Sequence, residues 1–319
     1  MNIVILDGYT ATQADLNWDG WQELGNLTVY DRTHRDELIE RARDAEVILT
    51  NKVFLNEDLL GQLPRLKYIG ILATGYNVVD LDAAKRRNII VTNIPAYSTM
   101  SVAQMALAHL LNITNHVDIH NQSVQQGQWQ HAADFCFQLA PQIELWGQTL
   151  SIVGLGNTGQ AMARLGQALG MRILAMSSKP AELLAEQGIQ KADTMEQLFR
   201  EADVLSLHCP LSADTHHLIN ADTLKWLKPS AILINTGRGA LLDEQAVADA
   251  LNTGRLYGCG VDVLEKEPPR NGSPLIGARN CYITPHIAWS TRQARRRLLD
   301  IAKNNLKAFL RGEPVNVVN

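Results

Sequence analysis

The sequence predicts an α/β protein built from two doubly wound parallel-sheet domains. Three observations carry that expectation. Short β-type apolar runs alternate with helical patterns along most of the chain, which implies parallel sheets covered by helices on both faces. At 319 residues there is room for two such sheets, each with its own core. In the middle, an apolar run over 150–153 breaks into Gly154-Leu155-Gly156-Asn157-Thr158-Gly159 and then into a helical pattern over 160–169. That strand–turn–helix context is what a Rossmann phosphate-binding loop requires.

In chain order, the first sheet is predicted from β-type runs at 3–6, 27–30, 47–49, 68–72 and 89–91, with helical patterns at 36–43, 57–63 and 81–87 between them. No glycine fingerprint follows Asp7-Gly8, so this half does not read as the dinucleotide holder. Its loop 72–77, Leu-Ala-Thr-Gly-Tyr-Asn, stands at the carboxyl end of a strand and is built of small residues. It reads either as an anion-binding nest of backbone amides or as an ordinary turn leading to a helix capped by Asp80.

A helical pattern over 101–126 follows, expected as one long helix. Its His109, His116 and His120 lack acidic or cysteine partners at ligand spacing and are expected as polar helix-face residues. The stretch 129–148 is irregular yet carries Phe135, Phe137 and Trp146, the pattern of a partner surface. Beyond the glycine loop, strands are expected at 173–176, 204–207, 231–234, 258–263 and 282–284, and helices at 194–200 and 244–251. A last helix, 290–310, carries Arg292, Arg295, Arg296 and Arg297, which read as a solvated basic face. That helix is expected to return to the first domain, giving domains of 1–98 plus 288–319 and of 99–287.

Composition narrows the function class. Hydrophobic residues make up 46% of the chain and charged residues 19%, and the net charge is −4, so nothing favours nucleic acid or an anionic membrane. No apolar run is long enough to span a bilayer, and MNIVILDG reads as a first strand rather than a signal peptide. The expected compartment is the cytoplasm. The four cysteines are scattered without a CxxC pair, and three lie in strand-like stretches, so buried free thiols are expected.

The glycines divide their work. Gly154 permits the tight turn, Gly156 lets backbone approach a pyrophosphate, and Gly159 lets helix pack against strand, with the helix amides facing the phosphates. The next strand ends in Ser177-Ser178-Lys179, where an NAD-binding unit presents Asp or Glu to the ribose 2′-hydroxyl. Two hydroxyls and a cation there suit a 2′-phosphate, which tilts the expected cofactor toward NADP(H). Three polar groups then follow the ends of three strands: Arg238 between two glycines, Asp262 with Glu265 and Glu267, and His286 in Thr-Pro-His-Ile-Ala-Trp. An arginine fork holds a carboxylate, a histidine protonates an alkoxide as a carbonyl is reduced, and a nearby carboxylate orients that histidine.

These segments, TLSIVGLGNTG at 149–159, ADVLSLHCPLSADTHHLI at 202–219, LKPSAILINTGRGALLDEQAV at 227–247, GVDVLEKEP at 260–268 and TPHIAWST at 284–291, resemble those of the D-isomer-specific 2-hydroxyacid dehydrogenases over essentially the full length. The wording LATGYNVVD, NIPAYSTMSVAQ and HIAWST is most similar to that of glycerate dehydrogenases, also called hydroxypyruvate reductases. The resemblance implies a flavodoxin-like substrate domain beside the Rossmann domain. It implies His286 as general acid/base, Glu267 as its partner, and Arg238 as the group that binds the substrate carboxylate and polarises the 2-oxo group. It also implies backbone contacts to that carboxylate from Ala73, Thr74 and Gly75, and a substrate contact from Trp289. Asp262 is implied to hold the nicotinamide carboxamide, with Thr99, Cys209, Pro210, Thr236 and Gly237 lining the cofactor, and a homodimer is implied. Ser177 departs from the Asp of NAD-specific relatives. The favoured reaction is NAD(P)H-dependent reduction of hydroxypyruvate or glyoxylate. The rival from another class is a dinucleotide-sensing binding protein with little turnover, against which the complete Arg/Glu/His set argues. Formate dehydrogenase is disfavoured because Glu267 stands where Gln is expected.

Overall fold

Strands whose residues are buried on both faces must alternate their side chains between two cores, and that is how the apolar runs behave. In the computed structural model, which describes residues 1–319, the chain divides into two units, 1–98 with 289–319 and 99–288.

The first unit holds β1 (Asn2–Ile5), β2 (Asn26–Val29), β3 (Val47–Thr50), β4 (Tyr68–Ile71) and β5 (Ile90–Thr92), all parallel in the order β2-β1-β3-β4-β5. Helices α1 (Tyr9–Thr12), α2 (Leu38–Ala42), α3 (Glu57–Gly61) and α4 (Leu81–Arg86) connect them. Asn56 and Asp80 cap α3 and α4 by accepting from the Leu59 and Ala83 amides. One core gathers Val4, Ile48, Ile69 and Val91 with residues of α2, α3 and α4. The other gathers Ile3, Ile5, Val47, Leu49 and Tyr68 with Leu298, Ala302 and Leu306 of helix α11 (Arg292–Leu310). Period two in the strands meets period 3.6 in the helix.

One feature of α11 corrects the sequence reading. Arg295 is 3% exposed rather than solvated, because it lies on the same helix face as Leu298, Leu299 and Ala302. Its guanidinium donates to the Thr12 carbonyl at 2.7 Å and to both oxygens of Asp15, whose carboxyl is held below the usual range by that contact. Arg297 likewise donates to the Tyr97 carbonyl.

The second unit holds a seven-stranded parallel sheet. Its strands are β6 (Thr149–Val153), β7 (Arg172–Met176), β8 (Ile189–Lys191), β9 (Val204–Leu207), β10 (Ile232–Asn235), β11 (Gly258–Val261) and β12 (Cys281–Ile283), in the order β12-β11-β10-β9-β6-β7-β8. The order reverses between β6 and β9, the switch point at which such sheets bind ligands. Val153 and Leu233 point into one core, Leu150, Ile152, Ile232 and Ile234 into the other. The covering helices are α5 (Thr99–Asn115), α6 (Val117–Gln125), α7 (Asn157–Ala168), α8 (Ala181–Ala185), α9 (Met195–Glu201) and α10 (Glu244–Asn252).

Three expectations need correction here. The single helix over 101–126 is two, because His116 takes a left-handed φ of 51° and its ring contacts the Tyr257 hydroxyl at 3.3 Å. His109 and His116 are buried instead of lying on a polar face. Of the cysteines, all free, only Cys259 is buried; Cys209 and Cys281 are half-buried and Cys136 is exposed. No helix is long and apolar enough to cross a membrane.

Candidate active site

The glycine loop shows what each glycine is for. Gly154 has φ 88°, and a Cβ there would stand 2.6 Å from the Cys209 amide nitrogen, so the loop after β6 packs on the loop after β9 only through glycine. A Cβ on Gly159 would strike the Gly154 carbonyl oxygen. Gly156 is different. It is the N-cap of the 12-residue α7, no side chain caps it, and nothing lies within 4 Å of where its Cβ would be. The first-turn amides of Asn157, Thr158 and Gly159 have no helical acceptors, so this open space beside a helix N-terminus fits a pyrophosphate. Leu155 contributes only backbone, since its side chain is 4% exposed and belongs to the core.

At the end of β7, Ser177 accepts from the Lys179 amide, and both residues are half-buried beside exposed Ser178. Lys191, the last residue of β8, donates its Nζ to the Lys179 carbonyl at 2.9 Å. The strand that brings this second cation was not expected from sequence, because only Ile189 in it is apolar.

Glu267 and His286, on the segments after β11 and β12, belong to one connected network. Glu267 Oε2 lies 2.6 Å from His286 Nδ1, while Oε1 accepts from the Leu264 amide. The carboxylate thus has one oxygen fixed by backbone and the other on the ring. His286 has φ 55°, and its amide donates to the Asp262 carbonyl at 2.8 Å. Asp262 is 1% exposed and accepts from Thr284 Oγ1 and from the amides of Ile287 and Ala288. These contacts let the carboxylate shape the loop around His286. His109 completes the chain, its Nε2 3.0 Å from Thr284 Oγ1. Burial pushes the His109 imidazole down, only partly offset by the Asp262 charge. A Cβ on Gly260 would stand 2.6 Å from the His109 Cβ, so that glycine admits α5 to the sheet.

Arg238 is exposed after β10, donating Nη1 to the Gly237 carbonyl at 2.8 Å. Its turn is gripped by fully buried Asn235, which accepts from the Gly237 amide and donates to the Arg238 carbonyl. Gly239 then passes so close to the Leu264 backbone that a Cβ would collide with it, which seats the Arg238 turn on the segment holding Glu267. Thr236 is 7% exposed with a buried Oγ1 lacking any partner, a donor suited to a ligand. Asn235 and His109 were not foreseen as parts of the site. Asn235 sat within a quoted motif, but nothing in the sequence said that its amide would face its own turn.

The remaining candidates are placed as follows. Thr99 is the first residue of α5, and Cys209 and exposed Pro210 follow β9, with burial pushing the Cys209 thiol up. In the first unit, Ala73, Thr74 and Gly75 follow β4. The Ile94 amide donates to the Ala73 carbonyl and the Thr74 hydroxyl to the Ile94 carbonyl, while the Thr74 and Gly75 amides donate to no backbone carbonyl. Trp289 packs edge-on against Tyr97, centroids 6.4 Å apart.

Comparison with known proteins agrees with this geometry. Residues 107–288 match the family model described as D-isomer specific 2-hydroxyacid dehydrogenase, NAD binding domain. The chain is similar to a hydroxypyruvate reductase of Blautia hydrogenotrophica, 44% identical over 100% of both chains. It is also similar to a glycerate dehydrogenase of Methylorubrum extorquens, 39% identical over 89% of this chain and 88% of that one. Among solved structures, an NADPH-dependent glyoxylate/hydroxypyruvate reductase from Sinorhizobium meliloti, in complex with NADP and malonate, superposes with a TM-score of 0.83 at 30% identity, covering 99% of this chain and 96% of that one.

Proposed function

Because the chain belongs to the D-isomer specific 2-hydroxyacid dehydrogenase family, we propose that it reduces hydroxypyruvate or glyoxylate to the D-2-hydroxy acid with NAD(P)H. It is an NAD(P)-dependent oxidoreductase. The observation that carries the mechanism is the 2.6 Å contact between Glu267 and His286, on a segment against which the Arg238 turn is seated.

When bound, the reduced nicotinamide supplies a hydride to the carbonyl carbon. The chain does the rest. Glu267 holds the imidazole at Nδ1, so Nε2 is the nitrogen that presents a proton to the carbonyl oxygen. Asp262 fixes the backbone on both sides of the ring, which limits its swing. Arg238 offers its fork to the substrate carboxylate and steadies negative charge on the reacting oxygen.

In this reading, residues 99–287 bind the dinucleotide and 1–98 with 288–319 serve the substrate. The preferred cofactor is NADPH, supported by Ser177 in place of a carboxylate, by Lys179 just beyond β7 and by Lys191 at the end of β8. The working form is a homodimer, supported by the exposed apolar side chains of 129–148, among them Trp129, Phe135 and Trp146. A panel of 2-oxo acids assayed with NADH and NADPH tests the reading. Turnover confined to hydroxypyruvate and glyoxylate supports it, and an enzyme that binds NADPH but reduces none of them would refute it.

A further inference from the structure

A second cluster of chemically active side chains lies outside the site just described. His216 and His217, on the loop that follows β9, face Glu265 on the segment that follows β11, and one donor atom from each lies within 4.8 Å of the other two. His217 Nε2 and Glu265 Oε2 are 3.8 Å apart, too far for a hydrogen bond. The two imidazoles stack, centroids 4.0 Å apart and 28° from parallel.

The independent observation is His217 Nε2, a buried nitrogen with no hydrogen-bond partner. Such a group is costly when left unsatisfied and so needs an account. The backbones that carry the cluster are also anchored. His217 adopts φ 48°, its amide donates to the Ala240 carbonyl, and its own carbonyl accepts from Asn220. The His216 amide donates to the Ser212 carbonyl, and the Glu265 amide to Glu244 Oε1 at 2.7 Å.

We propose that His216, His217 and Glu265 form a binding site for a borderline divalent transition-metal cation, Zn²⁺ foremost. Two imidazoles and a carboxylate are a three-ligand set of the kind that leaves a fourth position to water. Bonds of about 2.0–2.2 Å place tetrahedral donors roughly 3.4 Å apart, within reach of small rotations from the observed spacing. The bound ion relieves the orphaned nitrogen and neutralises a carboxylate beside Glu244. It also clasps the loop after β9 to the segment that carries Glu267, two residues beyond Glu265.

The test uses the full chain with Cys136→Ser, which removes the exposed thiol as a competing ligand. Calorimetric titration with Zn²⁺, and with Co²⁺ followed by its visible absorption, is expected to give one ion per chain and a low-coordinate Co²⁺ spectrum. His217→Asn, His216→Ala and Glu265→Gln are each expected to weaken binding at least about 100-fold, and His34→Asn to leave it unchanged. Zn²⁺ should raise the melting temperature of the parent and not that of His216→Ala, whose exposed side chain can be removed without disturbing the core. Absence of binding tighter than millimolar, or binding that survives in His216→Ala and Glu265→Gln, would overturn the proposal.

Discussion

Replacing Arg238 with lysine keeps the positive charge and removes the planar fork, so a bound carboxylate loses one of two parallel hydrogen bonds. Arg238→Lys is expected to lower kcat/KM for the 2-oxo acid by about 100-fold, roughly 2.7 kcal/mol of transition-state stabilisation, with cofactor affinity little changed. Steady-state kinetics beside a cofactor fluorescence titration separates the two effects. Glu267→Gln keeps the shape of the contact to His286 and removes its charge. Loss of the charged partner leaves the ring less firmly held for proton transfer, so kcat for reduction should fall by about 10-fold or more with cofactor affinity little changed, and an unchanged kcat would count against the pairing. A third residue reports on stability. Burial pushes the His208 imidazole down from 6.5 to about 4. The folded value lies below the unfolded one, so the unfolded chain binds more protons once the pH drops below 6.5, and stability declines from there toward pH 4. Urea unfolding should show lower stability at pH 5 than at pH 7, and His208→Gln should reduce that difference.

Among the elements, α7 depends on one contact distance. Gly159→Ala forces a methyl group against the Gly154 carbonyl oxygen, so the helix must retreat from β6. The expected result is a loss of about 2–3 kcal/mol in urea unfolding and much weaker cofactor binding. At β7 and β8, Ser177→Asp sets a carboxylate where Lys179 and Lys191 offer positive charge. NADPH use should fall far more than NADH use, less so at high salt; a parent that strongly prefers NADH would reverse the cofactor reading. These elements also show which signals a sequence carries. The glycine loop was legible because backbone geometry admits so few alternatives at Gly154 and Gly159. Strand β8 was not, since an edge strand with one apolar residue has no period to detect. Arg295 misled because its charge spoke for solvent while its position on α11 placed it in the core. The roles of Asp262 and His109 depend on partners 22 and 175 residues away at Thr284, and no local pattern encodes such pairings.

At the scale of the whole molecule, the alternation of strands and helices made both sheets legible, because a parallel sheet has to be apolar on both faces. The homodimer is tested by mass: light scattering after gel filtration should give about twice 35.3 kDa. Phe135→Asp, at a side chain 88% exposed, should shift the chain toward half that mass without lowering its melting temperature by much. The division of the chain has a consequence for how it is made. The first sheet emerges from the ribosome early, but Ile3, Val47, Leu49 and Tyr68 lack the cover of Leu298, Ala302 and Leu306 until α11, nearly 200 residues after residue 98, is translated. Residues 99–288 are contiguous and can fold meanwhile, whereas the first 98 must wait with one apolar face only partly covered. During that interval the nascent chain is open to chaperones and to aggregation, so slowing translation just ahead of the α11 codons should lower soluble yield more than the same delay within the codons for residues 1–98.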